Sequence, residues 1–204
     1  MIAIVDYGVG NLFSLCCSLK SLNLDACVTE KPEIIRNADR VILPGVGAFG
    51  DAADKLRSTG LEQVVLEQAA TGKPLLGICL GMQLLFKKGF EFGEHDGLGL
   101  LKGNVIPMLG TIPSGLKIPQ MGWNALIRKK DHPLLKNVKE GDCVYFVHSF
   151  YASDCEESLV AVTEYGKEIT ALVAKDNVMG CQFHPEKSGR VGLSILRAFA
   201  EMKL

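Results

Sequence analysis

The sequence lacks several features that would assign it to a common functional class. Its formal net charge is −1 over 204 residues, and no block of Lys and Arg marks a nucleic-acid-binding segment. No apolar run approaches the ~20 residues that a transmembrane helix needs. The segment that begins at Met1 has neither the basic region nor the cleavage site of a signal peptide. We therefore expect a cytoplasmic protein whose partners include neither nucleic acid nor membrane.

Metal and nucleotide motifs are missing as well. The seven cysteines are an odd number, and none belongs to a Cys-x-x-Cys pair, which argues for reduced thiols over a disulfide frame or a zinc site. The glycines of residues 6–11 (DYGVGN) form neither a Walker motif nor a complete GxGxxG, so they indicate a turn. We expect no metal and no cofactor.

Repeats, low-complexity tracts and linkers are also absent, and a chain of 204 residues fits one domain, residues 1–204. In its first half, short apolar runs that indicate strands alternate with helical patterns. The strands are expected at 2–5, 26–29, 40–43 and 75–78. The helices are expected after the potential N-cap Asn11, from Pro32, over 51–57 and 61–70, and beyond Cys79 through Phe86 and Lys87. This alternation predicts a doubly wound parallel sheet that binds ligands at the carboxyl ends of its strands.

After Glu91, glycines and prolines divide the chain into short segments. Strands are expected at 101–108, 121–128, 143–151, 159–165, 168–175 and 178–184, with a hairpin turn at 165–168 and a closing helix over 190–203. The sequence therefore predicts an α/β fold whose central, mostly parallel sheet is flanked by helices and continued by antiparallel strands.

Cys79 stands between an apolar run and a helical pattern, with Gly77 and Gly81 two residues away on either side. Small neighbours on a strand-to-helix turn are the pattern of a nucleophile elbow, which holds a reactive side chain clear of the backbone. The alternative is a small buried hydrophobe, as free cysteine commonly is.

A nucleophilic cysteine needs a base, and the chain has four histidines. His95 and His132 lie in polar surroundings and are most simply surface residues, while His148 follows an apolar strand and is by default a satisfied core or rim residue. His184 ends a predicted strand and precedes Pro185 and Glu186, and the proline keeps it extended. A carboxylate two residues on can then bond its Nδ1–H, as in a Cys-His-acid triad. The alternative is a strand-end histidine beside an exposed glutamate.

The chain resembles the class I, triad-type glutamine amidotransferases. The motifs that carry this resemblance are residues 77–83 (GICLGMQ) and 184–186 (HPE). Four further segments narrow it to the glutaminase subunits of imidazole glycerol phosphate synthase: residues 6–11 (DYGVGN), 44–49 (PGVGAF), 119–124 (PQMGWN) and 145–149 (YFVHS). Together they extend from residue 6 to residue 186. The resemblance implies a flavodoxin-like amidotransferase fold.

The resemblance also implies roles for individual residues. Cys79 would attack the side-chain amide of glutamine and form a glutamyl thioester, while His184 relays protons and Glu186 orients it. The oxyanion hole would use the N–H of Leu80 and one from the Gly45–Val46 peptide region. Glutamine would be held by Gly47, Gln83, Glu91, Ser149 and Phe150. Gln83 and Glu91 could instead be polar residues on a helix surface.

The family implies a partner, the (β/α)8-barrel cyclase subunit HisF, which would receive the ammonia through a channel. There the ammonia helps convert a phosphoribulosyl formimino-carboxamide nucleotide to imidazole glycerol phosphate and AICAR. The residues that would lie toward this partner are Gln120, Met121, Trp123 and Asn124. Gln120 departs from the family pattern, in which histidine is frequent, and Trp123 could instead fill the core.

Three other functions remain open from the sequence: an amidotransferase of the same class that feeds another synthase, a non-catalytic regulatory module, and a stand-alone amidase or cysteine peptidase. The joint presence of Cys79, His184 and Glu186 disfavours the module. The positions of Gln83 and Glu91 and the glycine-rich loop at 44–47 favour a small amino-acid substrate. If that loop is mobile until the partner docks, the isolated chain has low glutaminase activity.

Overall fold

Short apolar strands build the framework of the molecule. In this computed structural model, which describes residues 1–202, the helices longer than one 3₁₀ turn are α1 (Leu12–Ser21), α2 (Pro32–Asn37), α3 (Phe49–Ser58), α4 (Leu61–Ala70), α5 (Leu80–Leu84) and α6 (Gly189–Glu201). The strands of the first half are β1 (Ile2–Val5), β2 (Ala26–Thr29), β3 (Arg40–Leu43), β4 (Leu75–Ile78), β5 (Phe86–Gly89) and β6 (His95–Asp96). Those of the second half are β7 (Leu101–Pro107), β8 (Gln120–Ala125), β9 (Ile127–Arg128), β10 (Cys143–His148), β11 (Phe150–Ser153), β12 (Leu159–Glu164), β13 (Glu168–Lys175) and β14 (Val178–Cys181).

An eight-stranded sheet forms the centre of the fold, in the order β2-β1-β3-β4-β14-β13-β12-β9. The five strands from β2 to β14 run parallel, and β13, β12 and β9 continue the sheet antiparallel. Strand order reverses beside β1, as in doubly wound sheets, and β4 is one of the two central strands of the eight-stranded sheet. The predicted α/β class, with a mostly parallel sheet and antiparallel extensions, is confirmed.

Two smaller sheets lie beside the central one. Strands β10 and β8 form an antiparallel ribbon, and β11, β7, β5 and β6 form a four-stranded sheet. The ribbon connects directly to the four-stranded sheet, since only Ser149 separates β10 from β11.

Both faces of the parallel sheet are buried. In β1, Ala3 and Val5 pack into one apolar layer with α3 and α4, and Ile2 and Ile4 pack into the other with α1 and α6. A parallel strand buried on both faces needs a continuous apolar run, which explains why the β1, β3 and β4 sequences carry so little polar character.

Several sequence expectations need correction. The helix after Cys79 ends at Leu84, and Phe86 belongs instead to β5, where it pairs with Leu101 of β7. The strand expected at 121–128 is interrupted at Leu126, and the one expected at 143–151 is interrupted at Ser149. The strand expected at 178–184 ends at Cys181. Asn11 occupies the N-cap position of α1, but its side chain makes no capping hydrogen bond. The closing helix begins at Gly189, and its expected end at residue 203 lies outside the described residues.

Across residues 1–202, none of the helices combines the length and the apolar character needed to cross a bilayer.

Candidate active site

Cys79 occupies a strained turn between β4 and α5. Its backbone has φ 55° and ψ −113°, a conformation that residues other than glycine rarely adopt. The N–H of Cys79 donates to the carbonyl of Cys181 on the neighbouring strand at 2.8 Å, which holds the turn against the sheet. This is the geometry of a nucleophile elbow, at the carboxyl end of β4, one of the two central strands of the eight-stranded sheet.

Two glycines let the surrounding backbone close on this turn. A Cβ at Gly81 would lie 1.9 Å from the carbonyl oxygen of Leu43, so no other residue fits between α5 and the end of β3. A Cβ at Gly45 would lie 2.8 Å from the backbone nitrogen of Gly81. The loop at 44–47 is thereby packed directly against the start of α5, beside Leu80.

His184 and Glu186 form a buried pair. Nδ1–H of His184 donates to Oε1 of Glu186 at 2.8 Å, and both side chains are almost completely buried. The N–H of His184 donates to the Tyr145 carbonyl at 2.9 Å, and its φ of −96° and ψ of 99° give the extended backbone expected before Pro185. The backbone and the carboxylate together fix the orientation of the imidazole.

The electrostatic environment of His184 favours its charged form. Burial lowers the pKa of the imidazole, but the neighbouring Cys79 and the hydrogen-bonded Glu186 raise it by more, so that the pKa is about 9. A histidine of this kind is protonated at neutral pH when a thiolate stands beside it, so it can act as an acid toward a leaving group.

A cavity of about 340 Å³ opens beside Cys79. Its walls come from the elbow, the 44–47 loop, the ends of β10 and β11, and the segment after β14. The lining residues are Val46, Gly47, Cys79, Leu80, Gln83, Glu91, Pro119, Val147, His148, Ser149, Phe150, His184 and Lys187. A cavity of this volume accommodates a small amino acid.

The structure corrects the alternative in which Gln83 and Glu91 are polar residues on a helix surface. Gln83 is buried on α5, and its Nε2 donates to the Phe150 carbonyl and to Oε1 of Gln182, each at 3.0 Å. Glu91 lies outside the helices, and its Oε2 accepts a 2.8 Å hydrogen bond from the N–H of Phe49 at the start of α3. Both side chains line the cavity and are held by other parts of the chain.

The remaining residues expected at the site are distributed around it. Gly47, Val46, Ser149 and Phe150 line the cavity, whereas Gly45 lines a separate small cavity between the 44–47 loop and Glu186. The five residues expected to contact glutamine therefore all line the same cavity as Cys79.

The other histidines differ in part from expectation. His95 and His132 are half-buried and absent from the cavity wall, and Nδ1 of His132 accepts the N–H of Leu134. His148 does line the cavity. Its Nδ1–H donates to the Phe150 carbonyl at 2.9 Å, but its buried Nε2 has no partner, so it is not the fully satisfied histidine expected. Burial lowers the pKa of His148 to about 4.

Sequence reasoning missed two residues beside the elbow. The buried hydroxyl of Tyr7 donates to the Pro44 carbonyl at 2.8 Å, and burial together with the negative charge of Cys79 raises its pKa far above the usual range. Gln182 is fully buried, with its Nε2 3.7 Å from Sγ of Cys79. Neither belongs to a local catalytic pattern; only the tertiary fold brings them to Cys79.

In the segment expected to face a partner, alternate side chains of β8 point to opposite faces of the ribbon. Met121 and Trp123 are exposed by 63% and 55%, so Trp123 does not fill the core. Gln120 is 0% exposed, and its Nε2 donates to the half-buried Asn124. The expectation that the Gln120 side chain faces a partner therefore does not agree with its burial, because residues 120 and 124 point to the inner face of the ribbon.

The exposed face of the ribbon adjoins the cavity. The rings of Trp123 and Tyr145 meet edge to face with centroids 6.1 Å apart, and the ammonium of Lys187 lies 5.9 Å from the centroid of Tyr145. Lys187 itself lines the cavity. An apolar exposed surface thus reaches the cavity mouth.

Within residues 1–202, no cluster of three or more His, Cys, Asp or Glu residues has a geometry suited to a metal ion, and all seven cysteines are free thiols.

Comparison with known proteins agrees with this geometry. Residues 3–202 match the family model described as glutamine amidotransferase class-I. The chain is 54% identical to the "Imidazole glycerol phosphate synthase subunit HisH" of Caldanaerobacter subterraneus subsp. tengcongensis, over 99% of this chain and 98% of that protein. It is 48% identical to the subunit of the same name from Bacillus subtilis, over 99% and 96% of the two chains.

Solved structures share the fold at lower identity. A protein described as a glutamine amidotransferase superimposes with a TM-score of 0.76 at 21% identity, over 98% of this chain and 97% of that one. A chain of PurLQS from Thermotoga maritima superimposes with a TM-score of 0.75 at 22% identity, over 97% and 96%.

Proposed function

The chain belongs to the class-I glutamine amidotransferase family, and we propose that it is the glutaminase subunit of imidazole glycerol phosphate synthase. The observation that carries the proposal is the Cys79 elbow, whose thiol shares one cavity with His184, while the buried Glu186 accepts the Nδ1–H of that histidine. The near-full-length similarity to HisH subunits supports the choice of this synthase over another ammonia acceptor.

In the proposed first step, the thiolate of Cys79 attacks the side-chain carbonyl carbon of glutamine. The carbonyl electrons move to oxygen, and the resulting oxyanion is bound by the N–H of Leu80 and by one N–H from the Gly45–Val46 region. His184, held in one orientation by Glu186, donates a proton to the amide nitrogen. The carbon–nitrogen bond breaks, ammonia leaves and a glutamyl thioester remains.

In the second step, water attacks the thioester while His184 takes its proton. The tetrahedral intermediate uses the same oxyanion hole, and its collapse releases glutamate and regenerates the Cys79 thiolate. The raised pKa of His184, about 9, supports this double role, because the imidazole is protonated when the amide leaves and is restored after each cycle.

Substrate selection falls to the cavity walls. Gln83 uses both amide hydrogens on protein carbonyl oxygens, so its own Oε1 remains to accept a hydrogen bond from glutamine. Glu91 offers a carboxylate near the cavity, and Gly47, Ser149 and Phe150 provide backbone close to the substrate. These contacts suit a free amino acid, which carries both an ammonium and a carboxylate.

The ammonia is proposed to pass to the (β/α)8-barrel cyclase subunit, HisF, as the partner in a heterodimer. The exposed Met121 and Trp123 beside the cavity mouth support docking of a partner on this side. We propose that residues 1–204 form one amidotransferase domain. A reduced nucleophilic thiol and six further free cysteines support a cytoplasmic location.

The proposal is tested by labelling the chain with a glutamine-analogue electrophile and locating the adduct by mass spectrometry. We expect the label on Cys79, and we expect Cys79→Ala to lose all measurable glutamine hydrolysis while it retains partner binding, because the substitution removes only the sulfur. Cys143→Ala, which removes an exposed thiol, is the matched control and keeps full activity. Labelling at another cysteine, or hydrolysis by Cys79→Ala, contradicts the mechanism.

A further inference from the structure

The side chain of Gln182 joins the nucleophile to the wall that holds the substrate. Gln182 lies one residue beyond β14 and is 0% exposed. Its N–H donates to the Ala171 carbonyl at 2.9 Å, so its backbone is anchored to the central sheet. A fully buried amide at this point must satisfy its polar atoms within the protein.

The contacts of Gln182 fix which way its amide points. Its Oε1 accepts from Nε2 of Gln83 at 3.0 Å, so its own Nε2 is turned to the other side, 3.7 Å from Sγ of Cys79. Because Gln83 also donates to the Phe150 carbonyl, reversing the Gln182 amide would place two N–H donors against each other. The hydrogen-bond chain therefore has one direction and ends with a donor on sulfur.

On these observations we propose that Gln182 is a catalytic residue, whose amide donates a hydrogen bond to the Cys79 thiolate and holds Gln83 in its substrate-binding orientation. The inference rests on the proposed glutaminase function. A hydrogen bond to a charged acceptor is stronger than one to a neutral acceptor, so this donor favours the thiolate over the thiol. His184 lines the same cavity and, in its charged form, also favours the thiolate, so a neutral amide and a charged imidazole both stabilise the sulfur.

The two roles of Gln182 can be separated by substitution. Gln182→Glu retains an oxygen that accepts from Gln83 but replaces the donor on sulfur with a carboxylate oxygen. Gln182→Met fills a similar volume and removes both hydrogen bonds. Gln68→Glu is the matched control, since Gln68 is also a buried glutamine but lies on α4, where its Oε1 accepts from Lys73.

The first measurement is the rate at which iodoacetamide alkylates Cys79, followed by mass spectrometry of the peptide that contains it, as a function of pH. For Gln182→Glu we expect the pH midpoint of alkylation to rise by about one unit or more, because the thiolate loses a donor and gains a negative neighbour. Glutamine hydrolysis in the presence of the partner is expected to lose at least about tenfold in kcat, with less than about threefold change in KM. Gln68→Glu keeps the wild-type midpoint and kinetics.

Gln182→Met is expected to raise the midpoint less and to raise KM as well, because Gln83 loses one of its two acceptors. A folded Gln182→Glu protein with the wild-type midpoint and kcat overturns the proposal. If that variant does not fold, an unchanged midpoint in Gln182→Met overturns it instead. A wild-type chain that never hydrolyses glutamine contradicts the proposed function alone, since the alkylation midpoint still reports the bond to sulfur.

Discussion

Single hydroxyl and amide groups around Cys79 connect parts of the chain that are distant in sequence. Tyr7 follows β1, yet its buried hydroxyl holds the carbonyl of Pro44, at the start of the loop proposed to supply an oxyanion donor. The orientation of a peptide carbonyl also fixes the N–H of the same peptide, here that of Gly45. Tyr7 therefore restrains the peptide plane beside Leu80.

Loss of this restraint has a measurable consequence. We expect Tyr7→Phe to lower kcat/KM for glutamine by about threefold to tenfold, the equivalent of one hydrogen bond, because the 44–47 loop then samples orientations without the oxyanion donor. Steady-state glutamine hydrolysis with the partner present is the measurement. Tyr165→Phe is the matched control, since Tyr165 also donates to a backbone carbonyl, that of Lys117, on the exposed surface. Wild-type kinetics in Tyr7→Phe would show that the loop is held without this bond.

At the residue scale, the sequence predicts those site residues that belong to a short-range pattern along the chain. Cys79 between two glycines, and His184 two residues before Glu186, are short-range patterns with a physical meaning. Tyr7 and Gln182 are not, because the groups they bond lie 37 and 103 residues away along the chain. Only the parallel pairing of β1, β3, β4 and β14 brings these positions to one edge of the sheet.

The helices and strands show the same contrast between what a local pattern predicts and what long-range pairing decides. Strands β1 to β4 agree with their predicted bounds. For β1, β3 and β4 the reason is that a strand buried on both faces is a continuous apolar run between turn residues. The helix after Cys79 is shorter than predicted. The residues Leu84, Leu85 and Phe86 fit either a helix face or a strand, and the pairing of Phe86 with Leu101 decides in favour of β5. That pairing is invisible in the local pattern.

The close contact between α5 and β3 predicts a sharp sensitivity at Gly81. We expect Gly81→Ala to lower the free energy of unfolding by about 3 kcal/mol, because its Cβ would lie 1.9 Å from the Leu43 carbonyl oxygen. Gly110→Ala is the control: nothing lies within 4 Å of its Cβ, and only the φ of +81° is unfavourable, at a cost of about 1 kcal/mol. Urea unfolding of both variants measures the difference. Equal losses would mean that α5 shifts freely away from β3.

At the scale of the whole molecule, the cavity and the exposed ribbon form a continuous surface. Trp123 contacts Tyr145, and Lys187 reaches from the ring of Tyr145 to the cavity. A barrel subunit docked here would cover the apolar side chains and close the path from Cys79 to bulk water. The 44–47 loop, exposed at Val46 and Gly47, lies on the same cavity wall, so docking can also order the oxyanion hole.

This arrangement explains why we expect low glutaminase activity from the isolated chain and higher activity with the cyclase subunit and its nucleotide. We propose that the partner completes the site, a requirement that a stand-alone amidase would not have. Transfer of nitrogen is the property that distinguishes a synthase subunit from any other glutaminase, and it depends on the whole assembly.

The most direct test combines the chain with the HisF subunit and the phosphoribulosyl formimino-carboxamide nucleotide, and supplies glutamine labelled with ¹⁵N at the side-chain amide. We predict that the label appears in the ring of imidazole glycerol phosphate even when unlabelled ammonium is present in excess, and that Cys79→Ala abolishes this incorporation. Label that accumulates only as free ammonium, with unlabelled nitrogen in the ring, would contradict the assignment to this synthase.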